Sequence, residues 1–460
     1  MRALLLLLAL ALVPATASAQ GWSFETTYPS DPDRQGSSGH GIAVDPDGKV
    51  WIQYFSATDS VQVPEFNNEW RDTRVIYVFN SDGSEATGSP IKFVDLPGGV
   101  VDTLGGAVIR NSSNELVWDG KSNRGLRADQ DGNILASQFN TLYKLDYTSP
   151  GTGLAKNVFP DYCALTQATY DVEGNVYVAP VCPGPPVRIL NSDLSFQANV
   201  ADASSNFSRG VIVSRDGLNF YETAYENTFT IVHQRPDVFT PFDSTGTTFH
   251  GMRTESAAIN PSTGYLWVSS GNPLNPPNQD VEFTTNWQVA TWYAFDAAND
   301  VLTGGPADNG GIVKVPMALD SLTWNNQADG RPRGLAFTPD GNTAYVAQFS
   351  EPAPSFQRFT RGPVAIERGP EVEGVARLEP NAPNPAVDAT DIRFVLDAAA
   401  HATVRLYDVQ GRQIAVVLDE ALAAGTYSRT VTTSDLPAGT YVYTLEVEGR
   451  AMSRRMLVVR

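Results

Sequence analysis

The stretch HGIAVDPDGKVWI (His40–Ile52) contains two apolar segments on either side of the acidic turn Asp45-Pro46-Asp47-Gly48. A calcium-binding loop would continue with further oxygen ligands, whereas Lys49, Val50 and Trp51 follow here at once. Asp suits a tight turn because its side chain bonds to nearby backbone N–H groups, and Gly suits it because it adopts positive φ. The stretch therefore predicts a β-hairpin rather than a metal site.

Five further stretches repeat this pattern along the chain. They are RGLRADQDGNILA (124–136), TQATYDVEGNVYVA (166–179), RGVIVSRDGLNFYE (209–222), SAAINPSTGYLWV (256–268) and RGLAFTPDGNTAYVA (333–347). The turn glycines are Gly48, Gly132, Gly174, Gly217, Gly264 and Gly341, with spacings of 84, 42, 43, 47 and 77 residues. A period near 42 residues is typical of a β-propeller, in which four antiparallel strands form each blade.

The spacing predicts an all-β propeller over residues 20–361 with six blades, and seven blades is the alternative. A long loop over residues 55–73 and an extra hairpin over 105–120 account for the first long interval, and a loop over 270–289 accounts for the last. We expect Gly21–Tyr28 to supply the fourth strand of the final blade, because this pairing would remove an exposed sheet edge.

The repeat resembles the NHL, YVTN and SMP-30/gluconolactonase group of propellers over residues 21–361. This resemblance implies an architecture and says little about function, because the fold serves many functions. The lactonase-like members hold a divalent metal with carboxylate and amide ligands, and those ligands cannot be assigned to positions of this chain.

The two ends of the chain carry export signals of different kinds. Residues 1–19 are predicted to be a secretory signal peptide, with Arg2 before a short apolar core and Ala17-Ser18-Ala19 at the cleavage site. The apolar run is too short to span a bilayer, so no membrane span is predicted after cleavage. Residues 362–376 are predicted to be a linker, and period-two alternation over 377–460 predicts about seven short strands in a small immunoglobulin-like β-sandwich.

Residues 377–460 resemble the type A C-terminal sorting domain of the type IX secretion system. The resemblance depends on short motifs that occur in the family's order and include Asn381, Pro383, Asn384, Pro385, Gly411, Arg412, Gly439 and Tyr441. It implies that the type IX secretion machinery is a partner, and that the protein is exported through the periplasm to be secreted or held on the outer cell surface. The alternative is a FlgD-type immunoglobulin-like module with a structural role alone.

Charge and cysteine content narrow the classes of partner. The 460-residue chain has a net charge of −19, so nucleic acid and anionic membrane surfaces are poor partners. Its two cysteines, Cys163 and Cys182, flank the hairpin that turns at Gly174, and in an exported protein this placement predicts a disulfide. The spacing is not Cys-x-x-Cys, which argues against a redox role.

The position eight residues before each turn glycine is polar in all six repeats. These residues are His40, Arg124, Thr166, Arg209, Ser256 and Arg333. Each precedes the first strand of its blade, the strand that lines the central channel of a propeller, and most are followed by Gly, which lets strands approach closely. We expect the six side chains to surround one channel mouth and to bind an anionic small molecule, a glycan or a protein. The alternative is that they satisfy loop carbonyls and neighbouring carboxylates.

The sequence contains no recognisable catalytic motif. It therefore predicts an exported, non-catalytic binding protein. A lactonase- or lyase-like enzyme that acts at the channel mouth, with His40 or His250 beside a carboxylate, is the alternative. No metal ligands and no cofactor are predicted, and Ca²⁺ is left open without a ligand set to support it.

Overall fold

The computed structural model describes the chain in segments and divides it into two compact units, Met1–Gly362 and Pro363–Arg460. The described residues are 21–204, 207–224, 229–249, 252–271, 287–297, 318–325, 331–349, 352–361, 371–372, 376–379, 381, 386–408, 413–434, 436–437, 439–447 and 450–458. The predicted signal peptide and most of the predicted linker lie outside these residues.

The described residues of the first unit form strands and two short 3-10 helices, Pro32–Arg34 and Pro64–Phe66. Its strands are β1 (Trp22–Tyr28), β2 (Gly39–Val44), β3 (Val50–Tyr54), β4 (Asp59–Val63), β5 (Glu69–Thr73), β6 (Tyr77–Phe79), β7 (Phe93–Leu96), β8 (Val100–Thr103), β9 (Gly106–Arg110), β10 (Leu116–Gly120), β11 (Asn123–Ala128), β12 (Ile134–Gln138), β13 (Thr141–Leu145), β14 (Gly153–Val158), β15 (Thr169–Tyr170), β16 (Val176–Val178), β17 (Val187–Leu190), β18 (Phe196–Ala201), β19 (Ser208–Val213), β20 (Asn219–Ala224), β21 (Thr230–Gln234), β22 (Ser244–Thr248), β23 (Ala257–Ile259), β24 (Leu266–Ser270), β25 (Thr291–Phe295), β26 (Asp320–Thr323), β27 (Pro332–Phe337), β28 (Thr343–Gln348) and β29 (Phe356–Arg361).

Six antiparallel sheets of three or four strands follow one another through the described part of this unit. In chain order they are sheet 1 (β2-β3-β6), sheet 2 (β11 to β14), sheet 3 (β15 to β18), sheet 4 (β19 to β22), sheet 5 (β23 to β26) and sheet 6 (β27-β28-β29-β1). We call β2, β11, β15, β19, β23 and β27 the first strands. Each is joined to the second strand of its sheet by one of the six predicted hairpin turns, and the arrangement is propeller-like.

The six turns form as the sequence predicts. All six turn glycines have positive φ, between 71° and 87°. Strand β1 also pairs with β29, from Trp22 opposite Arg361 to Tyr28 opposite Phe356, as expected for the segment that completes the last sheet. The extra hairpin is present as β9 and β10, whereas the predicted long loop after Phe55 contains the hairpin of β4 and β5.

Apolar side chains fill the spaces between neighbouring sheets. Trp51 of sheet 1 packs in one cluster with Leu126 and Ile134 of sheet 2. Another cluster joins Tyr54 of sheet 1 to Tyr345 of sheet 6. These strands are buried on both faces, which explains why their sequences read as continuous apolar runs.

The second unit contains two antiparallel sheets, with the orders β30-β31-β32-β35 and β34-β33-β36-β37. Its strands are β30 (Glu371–Val372), β31 (Ala376–Leu378), β32 (Ala389–Leu396), β33 (Ala400–Asp408), β34 (Gln413–Leu422), β35 (Gly425–Thr432), β36 (Gly439–Val447) and β37 (Arg450–Val458). Both sheets contribute to one core, in which Phe394 of the first meets Tyr443 of the second. Strand β30 lies within the segment 362–376 that is predicted as a linker. It pairs there with β31.

Candidate functional site

Four of the polar residues predicted at the channel mouth are the extra residues of β-bulges. In sheet 1, Gly39 pairs with Tyr54 and Gly41 with Gln53, so that His40 has no partner in the ladder. The same shift leaves out Arg124 in sheet 2, Arg209 in sheet 4 and Arg333 in sheet 6. A bulge turns its extra side chain away from the regular alternation of the strand. We call His40, Arg124, Arg209 and Arg333 the bulge cluster.

Glycine at the next position lets the first strands approach one another, as the sequence predicts. A Cβ atom at Gly41 would lie 2.8 Å from the backbone nitrogen of Leu126 on the neighbouring first strand. At Gly125, where φ is +147°, a Cβ atom would lie 2.5 Å from Cβ of Gln167. The bulges are thereby held close together, although they belong to different sheets.

The four side chains of the bulge cluster act on one another electrostatically. Burial, followed by the positive charges of Arg333, Arg124 and Arg209, holds the pKa of His40 well below its usual range. Burial and repulsion from Arg209 lower the pKa of Arg124 to about 10. His40 is therefore neutral near pH 7, while Arg124 keeps its charge.

Two phenylalanines border the bulge cluster. The His40 ring stacks on Phe55 with the centroids 5.7 Å apart, and the Arg124 guanidinium carbon lies 5.2 Å from the centre of the same ring. The Arg333 guanidinium lies 5.1 Å from the centre of Phe349. Aromatic faces attract cations, so Phe55 and Phe349 help to hold the guanidinium groups of Arg124 and Arg333 in place.

Several buried polar atoms beside the cluster have no hydrogen-bond partner among the described residues. They are Nδ1 of His40, Nε of Arg124, and the side-chain amide atoms of Gln53 and Gln348. Gln53 lies against Gly41, and Gln348 pairs with Pro332 next to Arg333. Because buried polar groups are normally bonded, this concentration of unsatisfied atoms is unusual.

The fifth repeat needs a correction of one residue. The Gly264 N–H bonds to the carbonyl of Asn260, four residues back, whereas the Gly48 N–H bonds to that of Asp45, three residues back. Because this turn is one residue longer, Glu255 rather than Ser256 takes the position equivalent to His40. Glu255 is buried and forms a salt bridge with Arg333. Ser256 instead accepts a hydrogen bond from the Trp292 indole at 2.9 Å.

In the third repeat, the residue predicted at the channel mouth is the neutral Thr166, and the predicted disulfide lies nearby. Thr166 is buried, and its hydroxyl donates to the carbonyl of Gln167 at 3.4 Å. Cys163 and Cys182 form the predicted disulfide, with their Cα atoms 6.1 Å apart. The disulfide lies at the same end of the hairpin as Thr166. Leu165 and Pro180 form a β-bridge at this end as well.

At the opposite end of the first strands, the residue that begins each turn bonds to its own hairpin. The Asp45 carboxylate accepts from the backbone N–H groups of Asp47 and Lys49 and from the Trp51 indole, at 2.9 to 3.0 Å. Asp129 and Asp171 accept backbone N–H groups of their turns in the same way. The acidic centre of HGIAVDPDGKVWI therefore serves the turn.

The described residues give the enzymatic alternative no acid–base pair at His40, whose recorded neighbours are aromatic or cationic. His250 lies outside them. Nor does this part of the chain contain a group of three His, Cys, Asp or Glu side chains that could hold a metal ion. It also contains no helix with the length and hydropathy needed to cross a bilayer.

Two residues of the predicted sorting motifs bond within the second unit. The Asn381 N–H donates to the Tyr443 hydroxyl at 2.8 Å, and the Tyr441 hydroxyl donates to the carbonyl of Pro437 at 3.0 Å. Gly439 begins β36 with φ of +155°. Pro383, Asn384, Pro385, Gly411 and Arg412 lie outside the described residues.

Comparison with solved structures finds overall similarity at low sequence identity. A luciferin-regenerating enzyme is 11% identical, with a TM-score of 0.44, and the alignment covers 74% of this chain and 95% of that one. The Dos1 propeller is 11% identical, with a TM-score of 0.36, over 71% of this chain and 93% of its own. Neither similarity says anything about function. No curated protein matches the chain.

Comparison with protein families identifies the tail. Residues 382–459 match the secretion system C-terminal sorting domain. The match covers most of the two-sheet unit that follows Pro363. The second unit therefore contains a type IX C-terminal sorting domain, and the protein is exported to be secreted or attached to the cell surface.

Proposed function

We propose that the exported protein binds an anionic ligand at the bulge cluster, without catalysing a reaction. The observation that carries this proposal is the convergence of three arginines and His40 at four bulges, where polar atoms of His40 and Arg124 are buried without a hydrogen-bond partner among the described residues. A carboxylate or sulfate would accept hydrogen bonds from these groups and offset the repulsion between the cations.

The charge balance of the site supports an anion rather than a neutral ligand. Glu255 is a buried carboxylate beside the cluster, and it is engaged by Arg333. Among the described residues, Arg124 forms no ion pair with a carboxylate, and the charge of Arg209 repels it. A partly buried guanidinium that another cation repels gains from a counterion, and an anionic ligand would supply one.

The ligand class that fits best is an acidic sugar or a sulfated glycan. Its charged group would meet Arg124, whose guanidinium is held over the Phe55 ring. Exposure on the cell surface or outside the cell gives the site access to such polymers. The fold we propose for the first unit is a six-bladed propeller closed by β1, and the cluster that joins Tyr54 to Tyr345 supports it.

A glycan array with the purified full chain tests the ligand class. We expect binding to sulfated and uronic-acid glycans over their neutral counterparts. Calorimetry with a responding acidic glycan would then compare Arg124→Gln with Arg110→Gln, an exposed arginine of β9 that serves as the matched control. Loss of a charge-assisted hydrogen bond should weaken binding about tenfold or more in Arg124→Gln alone. Equal affinity for neutral glycans, or full affinity of Arg124→Gln, would contradict the proposal.

A further inference from the structure

A cavity lies at the turn end of the first strands, away from the bulge cluster. Its volume is about 460 Å³, and its walls come from all six first strands and the turns that follow them. We call it the turn-end pocket. Its volume falls in the range typical of sites for small molecules.

Arg127 reaches across the space between the first strands. It lies on β11, yet Nε donates to the carbonyl of Ala168 in the third repeat and Nη2 to that of Ala257 on β23, both at 2.8 Å. Its side chain lines the pocket. No hydrogen bond joins Nη1 to another residue in the described segments, so this N–H group is available to a ligand.

In the part of the chain that the structure describes, the Arg127 guanidinium forms no ion pair with a carboxylate. Burial lowers the pKa of the Arg127 guanidinium to about 10, and the Tyr170 phenol offsets part of this effect. Because this pKa is well above 7, the guanidinium stays charged near pH 7. The acidic residues of the pocket wall are Asp45, Asp129 and Asp171, and each is hydrogen-bonded within its own hairpin. Asp129 pairs with Lys144 at 2.8 Å, and Asp171 accepts from the Tyr177 hydroxyl at 2.8 Å.

The rest of the wall is largely apolar. It includes Ile42, Leu126, Ile212, Ile259, Leu335 and Phe337. Near the turns, the exposed Arg215 adds a second positive charge and donates to the carbonyl of Pro261 at 3.3 Å. The pocket thus combines an apolar surface with cations at two levels, while its wall carboxylates are held by hydrogen bonds within their own hairpins.

We propose that the turn-end pocket is a binding site for a small amphipathic anion, with its carboxylate or sulfonate bonded to Arg127 and its apolar body against the surrounding strands. Arg127 also bridges three sheets, and a bound anion would neutralise the charge that this bridge leaves buried. The proposal does not depend on the bulge cluster, which shares no residue with the pocket wall.

Displacement of a fluorescent probe by a charged and a neutral competitor tests the proposal on the purified full chain. We expect 8-anilinonaphthalene-1-sulfonate to bind one saturable site, and decanoate to displace it at least about tenfold more effectively than decanol, as loss of a charge-assisted hydrogen bond predicts. Equal displacement by decanoate and decanol would overturn the proposal, because the head group would then have no charged partner. This measurement needs no variant.

Variants then locate the site. Arg127→Met should weaken the anionic probe about tenfold or more, while the neutral N-phenyl-1-naphthylamine changes less than about twofold. Ala336→Trp, which fills the pocket from sheet 6, should remove both probes, and the exposed control Arg110→Gln should change neither. Undiminished binding of the sulfonate by Ala336→Trp would place it elsewhere and refute the assignment. If Arg127→Met fails to fold, Arg127→Lys takes its place, and its preference for the sulfonate over the neutral probe must persist.

Discussion

The two ends of the same first strands treat polar side chains in opposite ways. At the turn end, Asp45 is wholly buried and bonded to two backbone N–H groups and the Trp51 indole. At the bulge end, His40 is almost as buried, at 6% exposure, yet its Nδ1 has no partner among the described residues. The hydrogen bonds of the acidic turn stabilise the fold, whereas a buried polar atom without a partner destabilises it. Such a loss of stability at the bulge end is what we expect if this end binds a ligand, as proposed.

The turn end should be the more sensitive to substitution. Asp45→Ala removes two backbone hydrogen bonds of about 1 kcal/mol each and leaves the Trp51 N–H buried without an acceptor, so the free energy of unfolding should fall by about 4 kcal/mol. Asp47→Ala is the control, because this exposed carboxylate makes only a surface pair with Lys49, worth less than about 1 kcal/mol. Urea denaturation measures both. Equal effects of the two variants would remove the distinction between the two ends.

The disulfide should be the next largest contribution, and it lies at the bulge end of the third repeat. Replacing both Cys163 and Cys182 with Ala should lower the free energy of unfolding by about 3 kcal/mol, because the bond closes a loop across a separation of 19 residues. Reduction of the unmodified protein should shift its urea midpoint in the same direction. An unchanged midpoint in both experiments would show that the covalent bond does not hold this end together.

The pH dependence of stability should reveal His40. The pKa of His40 in the folded protein lies well below its value in the unfolded chain, so below pH 6.5 the unfolded state binds a proton that the folded state does not. The free energy of unfolding therefore decreases as the pH is lowered. Between pH 7.5 and 5.5 this loss should reach about 1.4 kcal/mol. Urea denaturation of His40→Gln at both pH values should show a loss smaller by this amount. An identical pH dependence in the variant would mean that His40 is protonated in the folded protein.

We expect the smallest change in the free energy of unfolding at Arg124. Whether this change is a gain or a loss tests the contrast between the turn end and the bulge end most directly. Arg124→Gln removes a half-buried charge that Arg209 repels, so without ligand its free energy of unfolding should change by less than about 1 kcal/mol and should increase. Thermal and urea denaturation without added anion measure it. A loss as large as that of Asp45→Ala would make the bulge cluster a stabilising element like the turns.

The sequence by itself determined the features that depend on neighbouring residues. A turn needs positive φ at one residue and a short polar side chain before it, so the period of Gly48 and its equivalents predicts six hairpins, and all six have the required φ. The disulfide is predicted for the same reason, since Cys163 and Cys182 are matched across one hairpin. The sorting domain is recognised because its motifs are continuous short segments.

Only the tertiary structure decided which side chains meet across different sheets. Counting from Gly264 selects Ser256, but one extra residue in the turn puts Glu255 beside Arg333. Arg127 looks like one polar residue within a strand, and its role emerges only from hydrogen bonds to Ala168 and Ala257, the second of which is 130 residues away. Local sequence specifies local dihedral angles, whereas contacts between first strands depend on turn length, bulges and packing summed over the whole unit.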